Sequence, residues 1–356
     1  MEMLILIAAL FLAFSNGAND NFKGFATVWG SDTLNYRQAL ALATLATVAG
    51  SVAALFLAET LVQNFSGKGL IADAVVNTPW FIFSVASGAA VTVFLATRLG
   101  YPVSTTHALI GGLIGAGLAQ AGGVHFDKLM ETFLMPLLVS PLLAAILGAL
   151  AYSAFRLRSA EADCVCVVEP ELISTSGGIA IRTVASPSLA VGSDEDCATL
   201  PVIARFSIAN WLNKLHIFSA MAICFARGVN DTPKIAALLL ASSLLGAQAS
   251  FWWLAAAMGL SGVLFARRVA ERMSHRVSRM DHSRGLAANL ITAVLVLFAS
   301  KLGVPVSTTH VSVGSIAGVG MRAQSLDWVS LRKIMWSWLM TLPLAAIFAW
   351  SVSKLF

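Results

Sequence analysis

A segment that occurs twice in this chain narrows its possible folds more than any other feature: LGYPVSTTHALIGG at 99–112 and LGVPVSTTHVSVGS at 302–315 agree at 9 of 14 positions. A second pair, FSNGANDNFK at 14–23 and FARGVNDTPK at 225–234, agrees at 5 of 10 positions and precedes the first pair in the same order, by 85 and 77 residues. Self-similarity of this kind marks two copies of one structural unit. The copies are read as 1–155 and 207–356. Between them, residues 156–206 hold seven acidic and four basic residues with Pro170, Gly177-Gly178, Pro187 and Pro201, the composition of a linker. Within it Cys164-Val165-Cys166-Val167-Val168 alternates as a short strand would, without the rest of a domain.

What surrounds the repeats is apolar. With 58% hydrophobic and 12% charged residues and a mean hydropathy of +0.80, the chain departs from the soluble norm of about 45–50% apolar and about 25% charged. Too few polar side chains remain to coat a water-facing globule, which excludes a soluble enzyme, a nucleic-acid-binding module and a disordered tail. Apolar runs long enough to cross about 30 Å of hydrocarbon lie at 39–58, 80–97, 133–155, 207–226, 245–265, 286–300 and 334–353. Three others are short or broken: 3–15, ending at Ser15-Asn16-Gly17, and the glycine-rich, proline-led 102–121 and 304–321, which read as half-helices or re-entrant hairpins. Met1-Glu2-Met3 lacks a basic lead and a cleavage site, so the first helix is expected to stay. The cysteines, Cys164, Cys166, Cys197 and Cys224, match neither a zinc spacing nor a disulfide framework and are read as incidental thiols.

Charge position gives the orientation of the copies. The loop 267–284 holds six arginines (Arg267, Arg268, Arg272, Arg276, Arg279, Arg284) and two acids, whereas its counterpart at 59–79 holds only Lys68 against Glu59 and Asp73. Basic residues gather on the cytoplasmic side. Equivalent loops of opposite character therefore predict inverted-topology repeats, a build in which broken helices form a midplane site. The expected fold is an all-α polytopic membrane protein with two such repeats.

Two constellations carry chemistry. Pro102 precedes Ser104-Thr105-Thr106-His107 and Pro305 precedes Ser307-Thr308-Thr309-His310. Proline suits a helix start, where free N–H groups and the positive end of the helix dipole face outward. Two such starts, brought together by the repeat, would hold a tetrahedral oxyanion on hydroxyl and amide donors; the plainer alternative is that the hydroxyls are N-caps. His107 and His310 are read as structural donors to a backbone carbonyl of the broken helix, and as candidate proton sites. The second constellation is Asn19-Asp20 with Lys23 and Asn230-Asp231 with Lys234. Ionisable groups at membrane depth are costly and functional by default. Asp20 and Asp231 are candidate ligands of a cation such as Na⁺, Asn19 and Asn230 candidate neutral carbonyl donors, and the Asp and Lys of each copy share a helix face.

The doubled GANDN/GVNDT and PVSTTH motifs resemble the signatures of the inorganic phosphate transporter (PiT) family, and the resemblance covers the chain apart from the linker. It implies a secondary active permease moving inorganic phosphate on a sodium or proton gradient. Ser104, Thr105, Thr106, Ser307, Thr308 and Thr309 then look like phosphate ligands, and Asn19, Asp20, Asn230 and Asp231 like the cation-linked positions. One departure stands out. The family pattern has a second Asn three residues after the Asp, where this chain has Lys23 and Lys234. An ammonium there would repel Na⁺ or take its place, so the lysines are expected to act as built-in cations, with transport independent of sodium and the proton as candidate coupling ion.

Sulfate is the alternative substrate, since it matches phosphate in size and shape; retained carboxylates, which can receive a proton, favour protonated phosphate. An anion channel would share the hydroxyl-lined helix starts but needs no buried carboxylates. HExxH and GxSxG are absent, and an enzyme is not expected. No cofactor is implied. The expected partners are the anion, the coupling H⁺ or Na⁺ and the lipid bilayer, with no nucleic acid; a homodimer is compatible, and the expected location is a cell (inner) membrane, multi-pass.

Overall fold

The computed structural model describes residues 1–120, 123–156, 164–169, 188–241, 244–278 and 281–355. Pro170, Gly177-Gly178 and Pro187 of the linker, and Arg279 of the basic loop, lie outside the described residues. The first half contributes α1 (Glu2–Asp20), α2 (Tyr36–Leu57), α3 (Pro79–Arg98), α4 (Thr105–Ala119) and α5 (Met135–Arg156). Next come β1 (Cys164–Val168), β2 (Ser188–Gly192), α6 (Asp194–Thr199) and β3 (Val202–Ser207). The second half contributes α7 (Ile208–Ala241), α8 (Ala247–Phe265), α9 (Arg267–Arg276), α10 (His282–Lys301), α11 (Thr308–Arg322) and α12 (Trp328–Lys354).

Local chemistry sets the helix starts. Asn35 and Gln38 close a reciprocal capping box on α2, Thr78 caps α3 with Pro79 in its first turn, and Asp281 and Asp327 cap α10 and α12. Seven helical stretches of the described residues are long and apolar enough to cross a membrane. Their outer faces carry residues such as Leu142, Trp253, Phe298 and Trp336, all more than half exposed, as a lipid-facing surface requires. At 15 residues each, α4 and α11 are about 22 Å long, short of the hydrocarbon thickness, in keeping with half-helices. Two expected boundaries move. Helix α1 runs past Ser15-Asn16-Gly17 to Asp20, and α7 continues from the expected end near 226 through the whole second motif to Ala241.

The halves interlock rather than sit side by side. Helix α4 packs on α12 and α11 on α5, while α1 packs on α8 and α7 on α2. Small residues make the crossings close: a Cβ at Gly111 or Gly115 would strike the Leu342 or Ala346 carbonyl, and one at Gly314 or Gly318 the Pro141 or Ala145 carbonyl. These are matched small-xxx-small pairs, the packing that lets helix backbones approach inside a bilayer.

Helix α3 begins just after the short helix Asp73–Val76 and ends where the Arg98 carbonyl accepts from Arg268 at 2.7 Å, on α9. Helix α10 begins just after α9 and ends where the Gly303 carbonyl accepts from Asn64 at 2.8 Å, in the segment Glu59–Phe65. Each of these helices has 20 residues, about 30 Å. The equivalent loops 59–79 and 267–284 thus lie at opposite ends of the bundle.

The linker is more structured than its composition suggests. Its strands form an antiparallel sheet in the order β2-β1-β3, with Cys164 opposite Gly192 and Ser207. Cys164 and Cys197 form a disulfide, and Cys166 is a buried free thiol beside them. This corrects the reading of Cys164 and Cys197 as incidental thiols. Their sequence separation of 33 hides the pairing from any local spacing rule, and only the fold of β1 against α6 brings the sulfurs together.

Candidate functional site

The site grows from the two acidic motifs and the two half-helix starts meeting at the core. Ser104 and Ser307 cap α4 and α11, their Oγ atoms accepting from the His107 and His310 amides at 3.2 and 3.3 Å. Both hydroxyls keep their own proton to donate. The extended segments ahead of the caps are held by the asparagines of the acidic motifs. Asn19 donates to the Thr97 hydroxyl and the Tyr101 carbonyl, each at 2.9 Å, and accepts from the Val103 amide at 3.1 Å. Asn230 accepts from the Ser300 hydroxyl at 3.1 Å and donates to the Val306 carbonyl at 3.3 Å. Both were expected to offer neutral carbonyls to a cation. The Asn19 oxygen takes the Val103 amide ahead of α4 and the Asn230 oxygen takes the Ser300 hydroxyl of α10, so both side chains also fasten the half-helices to the preceding helix.

The lysines lie deeper in the same network. Lys23 Nζ pairs with Asp20, donates to the Val103 carbonyl at 2.8 Å and reaches the Thr309 hydroxyl at 2.6 Å. Lys234 Nζ contacts Asp231 at 3.4 Å, the Val306 carbonyl at 2.8 Å and the Thr106 hydroxyl at 2.7 Å. Each ammonium therefore sits among a carboxylate, a backbone carbonyl and a hydroxyl, with the hydroxyl supplied by the other half. Thr106 and Thr309 were expected to bind the anion. Both also donate across the interface, to the Val306 carbonyl at 3.2 Å and the Val103 carbonyl at 2.9 Å, so their hydroxyls belong to the lysine cages.

Asn16 and Arg227 were missed. Asn16 Nδ2 donates to the Thr105 hydroxyl at 2.8 Å, to Asp20 at 3.2 Å and to Asp231 at 3.4 Å, tying the two acidic motifs to the start of α4. Its equivalent in the second copy is Arg227, fully buried, with Nε 3.9 Å from Asp231 and, among the described residues, no hydrogen-bond partner on any of its three side-chain nitrogens. The signal was present in the aligned motifs: an asparagine and an arginine at matched places four residues before each Asp. An arginine at membrane depth is a functional candidate on cost alone.

The histidines close the far side. The rings of His107 and His310 face each other at 4.5 Å between centroids, and His310 stacks on Trp338 at 3.9 Å, whose Nε1 donates to the Pro102 carbonyl. His310 also bonds the Leu137 backbone, which lies on α5 and not on a broken helix. Every residue of the two motifs singled out from sequence (Ser104, Thr105, Thr106, Ser307, Thr308, Thr309, Asn19, Asp20, Lys23, Asn230, Asp231 and Lys234) is buried.

A family model described as the phosphate transporter family matches residues 16–349. The chain belongs to that family. It is a family of transporters rather than enzymes, and this member is a multi-pass membrane protein. A Pyrococcus horikoshii protein named as a phosphate permease is 28% identical over 99% of this chain and 97% of its own length. Inorganic phosphate transporter 2-1, chloroplastic, of Arabidopsis thaliana is 28% identical over 98% of this chain and 72% of its own. A solved structure titled the sodium-dependent phosphate transporter superposes with a TM-score of 0.77 at 21% identity, covering 99% of this chain and 98% of that one. That likeness establishes the shared helical architecture.

Proposed function

We propose that this family member is a secondary active permease for inorganic phosphate in a cell membrane, built as inverted repeats 1–155 and 207–356 joined by the linker 156–206, and that it works without sodium. The observation that carries the sodium clause is the matched pair of ammonium cages. Hard cations take carboxylate and carbonyl oxygens as ligands, and broken helices offer such carbonyls to Na⁺ in transporters. Here Lys23 and Lys234 take up Asp20 and Asp231, the Val103 and Val306 carbonyls and two hydroxyls. A sodium ion would have to displace a covalently tethered charge. The related solved structure is titled sodium-dependent; in this chain Lys23 and Lys234 stand where the motif pattern it resembles has a second Asn.

The anion then lies between the starts of α4 and α11, on Ser104, Thr105, Ser307 and Thr308, with first-turn amides as further donors. Opposed loops at 59–79 and 267–284 support the inversion, and the arginines of the latter support a cytoplasmic location for that end. With sodium excluded, the proton is the coupling ion. The test is labelled phosphate uptake into proteoliposomes under an imposed inward proton gradient. Saturable accumulation that a protonophore abolishes, and that excess sulfate leaves in place, is expected. Flux that never saturates, or that ignores the gradient, would point to a channel; displacement by sulfate would point to a sulfate permease.

A further inference from the structure

One charged side chain in the core has no role in the cages. Arg227 is 0% exposed, and all three of its nitrogens lack a hydrogen-bond partner among the described residues. A buried guanidinium with no hydrogen bond and only one long ion-pair contact, 3.9 Å to Asp231, is costly to hold away from water. Its nearest carboxylate, Asp231, is already in use: Oδ1 serves Lys234 and Asn230, and Oδ2 receives Asn16 at 3.4 Å. Arg227 reaches only that second oxygen, at 3.9 Å.

The repeat says where the free N–H groups lead. At the matched place in the first copy, Asn16 bonds the hydroxyl of Thr105 at the start of α4. The counterpart of Thr105 is Thr308, at the start of α11. Asn16 and Arg227 meet the same oxygen of Asp231, so the guanidinium is linked through that carboxylate and the Asn16 amide to the Thr105 hydroxyl assigned to the anion. The charges can be counted. Asp20 with Lys23 and Asp231 with Lys234 cancel as pairs. Arg227 leaves a single positive charge unmatched.

We infer that Arg227 is a direct ligand of the transported anion and sets its charge, so that the site takes monovalent dihydrogenphosphate in preference to hydrogenphosphate or sulfate. This deepens the phosphate reading above and rests on it. A monoanion brings the buried cluster to neutrality, whereas a dianion leaves an excess negative charge away from water, which is unfavourable for the same reason as the bare guanidinium. The planar fork suits two oxygens of one tetrahedral anion. Proton coupling also acquires a simple balance: hydrogenphosphate takes one proton outside, crosses as dihydrogenphosphate, and returns the proton inside.

The experiment uses the full chain, purified in sodium-free detergent, with equilibrium binding of labelled phosphate measured across the second ionisation of phosphate. For the wild type, Kd in total phosphate is expected to rise roughly tenfold per pH unit above that ionisation, and sulfate to compete poorly throughout. Arg227→Asn, which installs the first copy's residue, is expected to weaken binding by about tenfold or more at low pH. Arg227→Gln serves the same purpose with a longer side chain if the Asn variant does not fold, and melting without phosphate reports any structural role separately. A folded neutral variant with the wild-type Kd would overturn the inference, as would a wild-type Kd independent of pH with sulfate competing equally. Failure of the wild type to bind phosphate at all would instead remove the phosphate reading itself, and the inference with it.

Discussion

The two copies of the acidic motif reach the same end by different backbones. In the first, α1 stops at Asp20, the chain tightens into a 3₁₀ turn over Lys23–Phe25, and a short helix, Ala26–Gly30, follows. In the second, α7 runs unbroken from Ile208 to Ala241, with Pro233 inside it. Proline in a helix interior removes one backbone hydrogen bond, yet the break lies in the copy without it. Lys23 and Lys234 nonetheless meet equivalent partners. The position of the ammonium is therefore set by contacts across the halves, and local helix continuity is free to vary. Where the copies differ in chemistry is at Asn16 and Arg227.

The largest effects fall on the carboxylates. Asp20→Asn and Asp231→Asn each strand a buried lysine, a loss of about 3–5 kcal/mol, so phosphate uptake should drop by about a hundredfold or more. Asp231 also faces Arg227 and Asn16, and its variant should be the worse of the two; equal losses would dissolve the distinction between the copies. Next come the lysines. Lys23→Asn with Lys234→Asn empties both cages, and sodium-free uptake should fall by about tenfold or more, with part of it returning when sodium is added. Failure of sodium to restore any uptake, in a variant that still folds, would show that the cages are not cation sites.

These two predictions rest on features the sequence made legible to different degrees. The hydroxyl runs, the Asp–Lys pairing and the half-helices were readable because each is a local pattern, doubled. The bonds from Lys23 to the Thr309 hydroxyl and from Lys234 to the Thr106 hydroxyl join residues 286 and 128 positions apart, and no periodicity along one helix reports such a contact. Asn19 and Asn230 hide a second role for a related reason. An asparagine beside an aspartate reads as a candidate cation ligand, and its bonds to the extended segment show only once that segment is in view. In the linker, alternation suggested one strand, while the sheet pairs β1 with two later segments and the disulfide joins cysteines 33 positions apart.

Smaller effects probe the caps. Ser104→Ala and Ser307→Ala each remove a cap, about 1 kcal/mol, and an anion donor; the KM for phosphate should rise several-fold in either and more in the double variant. Binding unchanged in both would remove the anion from the helix starts. The smallest effect belongs to the linker. Cys164→Ser opens the disulfide with Cys197 far in sequence from the motif pairs, and uptake should stay within about twofold of the wild type, while the linker becomes easier to cut with protease.

The central claim is that tethered ammonium groups stand where a coupling cation would bind. Its most direct test is the initial rate of phosphate uptake by the wild type in proteoliposomes with all sodium replaced by choline, at a fixed proton gradient. The account predicts the same rate in both salts. Complete loss of uptake in choline, recovered on adding sodium, would contradict it.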